Sequence, residues 1–175
     1  WTMAEVAAAS TFARDMRLGL RELLAAEPDA LSDVCLITEG GGRIHCHRLV
    51  LALRSPYLRA VLAQHRPASQ SPATVVLEGV RTPVAEKLVR YFYTDELEVE
   101  EASDAELLQL CQLAEQCECT PAVTRAEGEL LSRLSLGSAA ELLGAAAEAG
   151  GMPRLQAAAV RLLAAGAPDN GFVAG

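Results

Sequence analysis

The sequence predicts an α+β fold: a small, mostly three-stranded sheet, a cluster of short helices around it, and an α-helical extension behind. Three observations predict it. Cap residues sign five helix starts, the apolar period switches from helical to extended and back within residues 34–47, and the second half shows helical spacing only.

Of the 175 residues, 51% are apolar but only 4% aromatic, so the core must be built from Leu, Val and Ala, a composition that favours helices. The length suits one domain, or one domain plus a small helical appendage. Met3 fits a native start after Trp1 and Thr2, and equally a segment of a longer chain.

A first helix is expected over residues 12–26, with Phe12, Met16, Leu20, Leu23 and Leu24 on one face, stopped before Pro28. The apolar run Val34, Cys35, Leu36 and Ile37 then reads as a strand, Gly40 to Gly42 as a turn, and Ile44 to His47 as the returning strand of a hairpin. Residues 48–54 and 56–63 read as two short helices. Thr74 to Leu77 reads as a strand after a polar loop over 64–73, and residues 83–93 as a helix with Val84, Leu88, Tyr91 and Phe92 inward.

Leu97 and Val99, alternating with Glu96, Glu98 and Glu100, predict a last short strand. Beyond it, Leu107, Leu110, Cys111, Ala114 and Cys117 share a helix face, as do Leu142, Leu143 and Ala146, and then Leu155, Ala158, Ala159, Leu162 and Leu163. Ser55-Pro56, Thr82-Pro83 and Thr120-Pro121 combine a capping hydroxyl with a proline suited to the first helical turn. Ser103 with Glu106 and Ser138 with Glu141 have the spacing of a capping box. The tail 167–175 reads as a linker or a disordered tail.

Several function classes fall away. The formal charge is −8 and no segment carries a run of Lys or Arg, so no nucleic-acid partner is expected. No apolar run approaches the about 18 residues of a membrane span, and no signal segment opens the chain, so no membrane partner is expected and the compartment is read as cytoplasm or nucleus. Five cysteines, an odd number in a chain with ample apolar content, read as reduced thiols.

No enzyme chemistry, metal or cofactor is read from the residues. His45, Cys46 and His47 are consecutive, but alternation along a strand sends Cys46 to the face opposite the two histidines. Cys111, Cys117 and Cys119 lack the C-x2-C pairs of structural zinc sites, although a thiol- or metal-dependent protein using them is the reading from another class. The Gly40–Gly42 run has no following Lys-Ser/Thr to cradle a phosphate, and the acids Glu96, Glu98, Glu100, Glu101 and Asp104 read as a solvated face.

The motifs Ser32-Asp33-Val34, then Ile44 through Leu51 with His47-Arg48, then Arg54-Ser55-Pro56-Tyr57-Leu58 through Leu62, occur in order with the spacing of a known family. The chain resembles the BTB/POZ domain. Val75-Val76-Leu77 looks like that family's third strand, Leu88 through Thr94 like its L-x-x-x-Y-T segment, and Leu107 to Ala114 like its late helix. The resemblance implies a BTB/POZ fold over residues 12–119, with a BACK-like, or 3-box, helical extension over 120–166 similar to that of cullin-3 adaptors.

The resemblance further implies a protein-interaction module, a homodimer serving as substrate adaptor of a cullin-3 RING ubiquitin ligase. Its partners would be a second copy, the cullin-3 N-terminal domain, and a substrate held by a domain outside this chain. Carried over residue by residue, the cullin-binding candidates are Tyr57, Leu58, Val61, Leu62 and Tyr93. The dimer candidates are Phe12, Met16, Leu20, Leu24, Asp33 and Arg48. One departure stands out: cullin-binding members carry a hydrophobic-x-Glu motif at the end of the third helix, where this chain has Val61-Leu62-Ala63. The alternative is a BTB oligomerisation scaffold, a transcriptional or cytoskeletal regulator without cullin binding.

Overall fold

The structure, a computed structural model, describes residues 3–25, 31–64 and 72–166, with side chains at position 11 and from 13 onward. The expected loop over 64–73, the tail 167–175 and the side chain of Phe12 fall largely or wholly outside the described residues. Among the described residues, eight helices surround one three-stranded sheet. The α+β expectation therefore holds.

The hairpin consists of β1 (Val34–Ile37) and β2 (Arg43–Cys46), antiparallel, with Cys35 opposite His45 and Val34 opposite Cys46. A one-turn 3-10 helix, Glu39–Gly41, joins them, and Gly40 and Gly41 take the positive φ values of 78° and 83° that L side chains resist. The third strand, β3 (Ala73–Val76), lies parallel on the other side of β1, giving the order β2-β1-β3. Being central, β1 is buried along nearly its whole length, and so it reads as a continuous apolar run and not as an alternating one.

Helix α1 (Met3–Ala25) begins nine residues before its expected start, through a stretch rich in Ala. It packs on α4 (Thr82–Thr94), and Leu20, Leu23 and Leu24 reach the core. Between hairpin and sheet edge, α2 (Arg48–Arg54) and α3 (Pro56–Gln64) pack on each other. All four inward residues expected of α4 are buried.

The expected strand at 97–99 is not formed. Leu97 and Val99 are buried and their Glu neighbours exposed, so the alternation is real, but no neighbouring strand completes a ladder among the described residues. Arg133 instead fixes this stretch, donating to the carbonyls of Val99, Glu100 and Ala102 at 3.1, 2.8 and 2.5 Å.

The helical half comprises α5 (Asp104–Gln116), α6 (Thr120–Arg133), α7 (Ala139–Ala149) and α8 (Pro153–Gly166). The Ser103–Glu106 capping box forms: the Ser103 hydroxyl accepts from the Glu106 amide and the Glu106 carboxylate accepts from the Ser103 amide at 2.9 Å. These bonds hold the Glu106 carboxyl below its ordinary pKa. The second expected box does not form, because the Ser138 hydroxyl pairs with Ser135 at 3.0 Å and leaves α7 without a side-chain cap.

Ser55 caps α3 as expected, accepting from the Leu58 amide at 3.0 Å. Thr82 does not cap: its hydroxyl bonds Thr38 at 2.6 Å, beside the turn glycine Gly42, where a Cβ would strike both threonines. No side chain caps the Thr120 start either. In α8 the expected stripe narrows to Leu155 and Ala159, while Leu162 and Leu163 lie half-buried.

Candidate protein-interaction site

The cullin-binding candidates divide by helical phase. On α3, Leu58 and Leu62 stand four residues apart and point into the core, each about 1% exposed, whereas Tyr57 and Val61 form the neighbouring stripe and are half-buried at the core margin. The expectation that Leu58 and Leu62 contact a partner is corrected: Ser55 anchors the start of α3 to the core, its hydroxyl donating to the Cys117 carbonyl at 2.7 Å, and that phase turns both leucines inward. The Tyr57 hydroxyl accepts from Gln116 Nε2 of α5 at 3.3 Å, so a patch of Tyr57, Val61 and Gln116 spans two helices.

Tyr93 is likewise corrected, being 2% exposed. Its hydroxyl oxygen lies 2.9 Å from the His47 amide, which donates to it, and 2.8 Å from His47 Nδ1. The tyrosine thus pins the junction between β2 and α2 from beneath. The His47 amide and ring thus meet a side-chain hydroxyl 46 residues away in sequence.

Asp33 and Arg48, two of the dimer candidates, meet within the chain. The Arg48 amide, first in α2, donates to Asp33 Oδ1 at 2.7 Å, so Asp33 serves as a cap on α2 contributed from the start of β1. The Arg48 guanidinium lies 3.9 Å from Asp33 Oδ2 and donates to the Leu62 carbonyl at 2.6 Å. Strand β1, α2 and the end of α3 are tied by this pair. Of the other dimer candidates, Met16 is 48% exposed while Leu20 and Leu24 are half-buried against the core.

Two residues that sequence reasoning passed over are the most exposed leucines of the helical cluster: Leu49 at 70% and Leu53 at 68%, one turn apart on α2. The signal was present. Four of the seven residues of α2 are Leu or Val, and only Val50 and Leu51 are buried. Arg54, at the end of the same helix, stacks 5.1 Å over the Tyr91 ring and pairs with Asp95 at 2.6 Å.

His45 and Cys46 project to opposite sides of β2, as alternation requires, and all five cysteines are buried free thiols. Burial pushes the thiols of Cys46, Cys111 and Cys117 up to about 12. Among the described residues no group of three or more His, Cys, Asp or Glu side chains is placed to hold a metal, and no helix is long and apolar enough to cross a membrane.

A family model described as the BTB/POZ domain matches residues 22–133. The chain is 36% identical to Kelch-like protein 38 of Rattus norvegicus over 93 residues, half of this chain and 16% of the relative. Over 74 residues it is 40% identical to Kelch-like protein 40 of Mus musculus, covering 42% of this chain and 11% of the relative. The chain thus spans less than a fifth of the length of these curated relatives. Among solved structures, the BTB domain of zebrafish PATZ1 aligns with a TM-score of 0.58 at 17% identity, covering 71% of this chain and 95% of that one. The BTB domain of human gigaxonin aligns at 0.51 and 23%, covering 65% and 87%. With the sheet order, the Asp33–Arg48 tie and the Tyr93 pin in place, the match over residues 22–133 means that the chain belongs to the BTB/POZ domain family.

Proposed function

We propose that this chain is the dimeric adaptor module of a cullin-3 RING ubiquitin ligase, performing no chemistry itself and holding its substrate through a domain outside this segment. The observation that carries the reading is the Tyr57–Val61 stripe beside Gln116: an apolar, half-buried patch at the α3–α5 edge, the edge at which BTB adaptors meet the cullin-3 N-terminal domain. Similarity to Kelch-like proteins supports it. The BTB core is taken as 12–119, the BACK-like extension as 120–166 and a linker as 167–175, in a protein of the cytoplasm or nucleus. Dimerisation would draw on Met16 and Leu18 of α1 and on Leu49 and Leu53 of α2, exposed apolar residues of the two helices.

Isothermal calorimetry with the cullin-3 N-terminal domain tests the reading. Binding at about 10 µM or tighter is expected, weakened at least about tenfold by Tyr57→Ala with Val61→Ala. Absence of heat at that concentration removes the ligase role.

One observation favours a second reading, a BTB scaffold that only oligomerises. Ala63 stands where cullin binders carry Glu, and it is exposed at the end of α3. Restoring the acid with Ala63→Glu separates the two: binding that appears only in the variant assigns the natural chain to the scaffold class.

A further inference from the structure

Cations that are scattered in the sequence converge in the fold. An open cleft of about 810 Å³ runs between the end of α1, strand β2 and α4, with Arg21, Arg43, Lys87 and Arg90 in its walls. At Arg21 and Thr94 it meets a second hollow of about 400 Å³, lined by Arg14 and Arg17 of α1. Among the described residues, six of the chain's fifteen Lys and Arg thus face one groove in a protein of net charge −8, against three carboxylates, Glu86, Glu96 and Glu98.

Two of those carboxylates are engaged by the rim itself, Glu96 by Arg21 at 3.0 Å and Glu98 by Arg90 at 2.8 Å. Arg14, Arg17, Arg43 and Lys87 make no ion pair with the described residues. The floor is apolar, formed by Leu24, Ile44 and Val89. Along one wall lies β2, whose outer side carries no strand among the described residues.

We propose that this cleft docks an acidic peptide segment of a partner protein, one in which Asp or Glu alternates with aliphatic residues. Charge complementarity selects the occupant. Unpaired guanidinium and ammonium groups in an otherwise acidic protein attract carboxylates, the floor takes the aliphatic side chains, and the edge of β2 offers main-chain groups to an extended backbone. A nucleic acid fits less well: its unbroken phosphates would meet Glu86, Glu96 and Glu98, and among the described residues no Phe, Trp or Tyr lines the groove for base stacking. The site is remote in role from the Tyr57–Val61 patch and does not depend on cullin binding.

The test uses the full chain and a fluorescein-labelled peptide of about eight residues alternating Glu and Leu, followed by fluorescence anisotropy. Saturable binding at about 100 µM or tighter is expected in about 50 mM salt, weakened about tenfold in about 300 mM salt. Arg43→Glu with Lys87→Glu should weaken it at least about tenfold, and so should Arg14→Glu with Arg17→Glu, which alters only the exposed face of α1 and guards against misfolding of the first pair. Arg125→Glu, on α6 and outside the cleft, should stay within about twofold, and the matching Lys-Leu peptide should not bind.

Three results overturn the proposal. The first is no saturable binding by the natural chain, or binding by both charge-reversed pairs as tight as that of the natural chain. The second is equal or tighter binding of an oligothymidylate of the same length, which assigns the cleft to phosphate backbones. The third is conversion of a dimer to a monomer by the charge reversals in analytical ultracentrifugation, which assigns it to a second copy.

Discussion

The Glu127 carboxylate on α6 accepts a hydrogen bond from the Leu155 backbone amide in the first turn of α8 at 3.0 Å, and the same oxygen accepts from Arg154 at 3.1 Å. Glu127 is only 3% exposed, so a buried acid from one helix supplies the cap that the sequence around Pro153 lacks. Beside it the Met152 amide donates to Glu115 of α5 at 3.3 Å, where the neighbouring Gly151 leaves no room for a Cβ against that carboxylate. Two acids therefore seat the turn between α7 and α8 on the preceding helices.

Replacing Glu127 with Ala removes the acceptor and leaves two inward amides without one, at a cost of about 2–3 kcal/mol in urea unfolding. Glu127→Gln keeps an acceptor oxygen and should cost less. Hydrogen exchange distinguishes a local tie from a global one: in Glu127→Gln, amides over 153–166 should exchange faster while those of α4 stay protected. Uniform acceleration would show that the contact supports the core in general.

The Tyr93 hydroxyl sits beneath the β2–α2 junction on a residue only 2% exposed, so Tyr93→Phe should remove the acceptor of the His47 amide and cost about 1–2 kcal/mol. Because the ring and its packing are kept, the urea midpoint should fall with an unchanged slope. A loss below about 0.5 kcal/mol would mean that the junction relaxes to another acceptor.

What could be read in advance follows from how local each signal is. Helical spacing located the buried faces of α4 and α5, and alternation set His45 against Cys46 across β2. These patterns need only a few neighbouring residues. On α3, however, spacing gives two stripes, Tyr57 with Val61 and Leu58 with Leu62, and which one turns inward rests on long-range contacts such as that of Ser55 with Cys117, 62 residues apart. The same limit hid Tyr93 under His47, Glu127 at the start of α8, and the six cations of the cleft, drawn from α1, β2 and α4. Leu97 and Val99 show the converse: their alternation was legible and their burial follows it, yet pairing requires a neighbour that no local pattern reveals.

Leu49 and Leu53 present more than half of their surface on α2 and take no part in the core. Leu49→Glu with Leu53→Glu should therefore leave the melting temperature of the isolated subunit nearly unchanged, while lowering the sedimentation coefficient from a dimer to a monomer value if α2 carries the association. A variant that stays dimeric moves the interface elsewhere.

Buried thiols make the last prediction one of pH. With Cys46, Cys111 and Cys117 pushed up to about 12, their thiolate fraction at pH 8 is about one in ten thousand, so a disulfide reagent should modify them slowly in the native chain and all five cysteines quickly in guanidinium. The sign of the stability effect follows from the direction of the shift. The unfolded thiols ionise near about 8.5, the folded ones only near about 12, so the unfolded state releases protons first. Their contribution is complete below about pH 8.5 and is lost as pH rises towards 12, by up to about 1.4 kcal/mol per thiol and pH unit. Urea midpoints should thus fall steeply between about pH 9 and 11, and Cys46→Ala should flatten that fall while lowering the neutral-pH midpoint through the cavity it leaves.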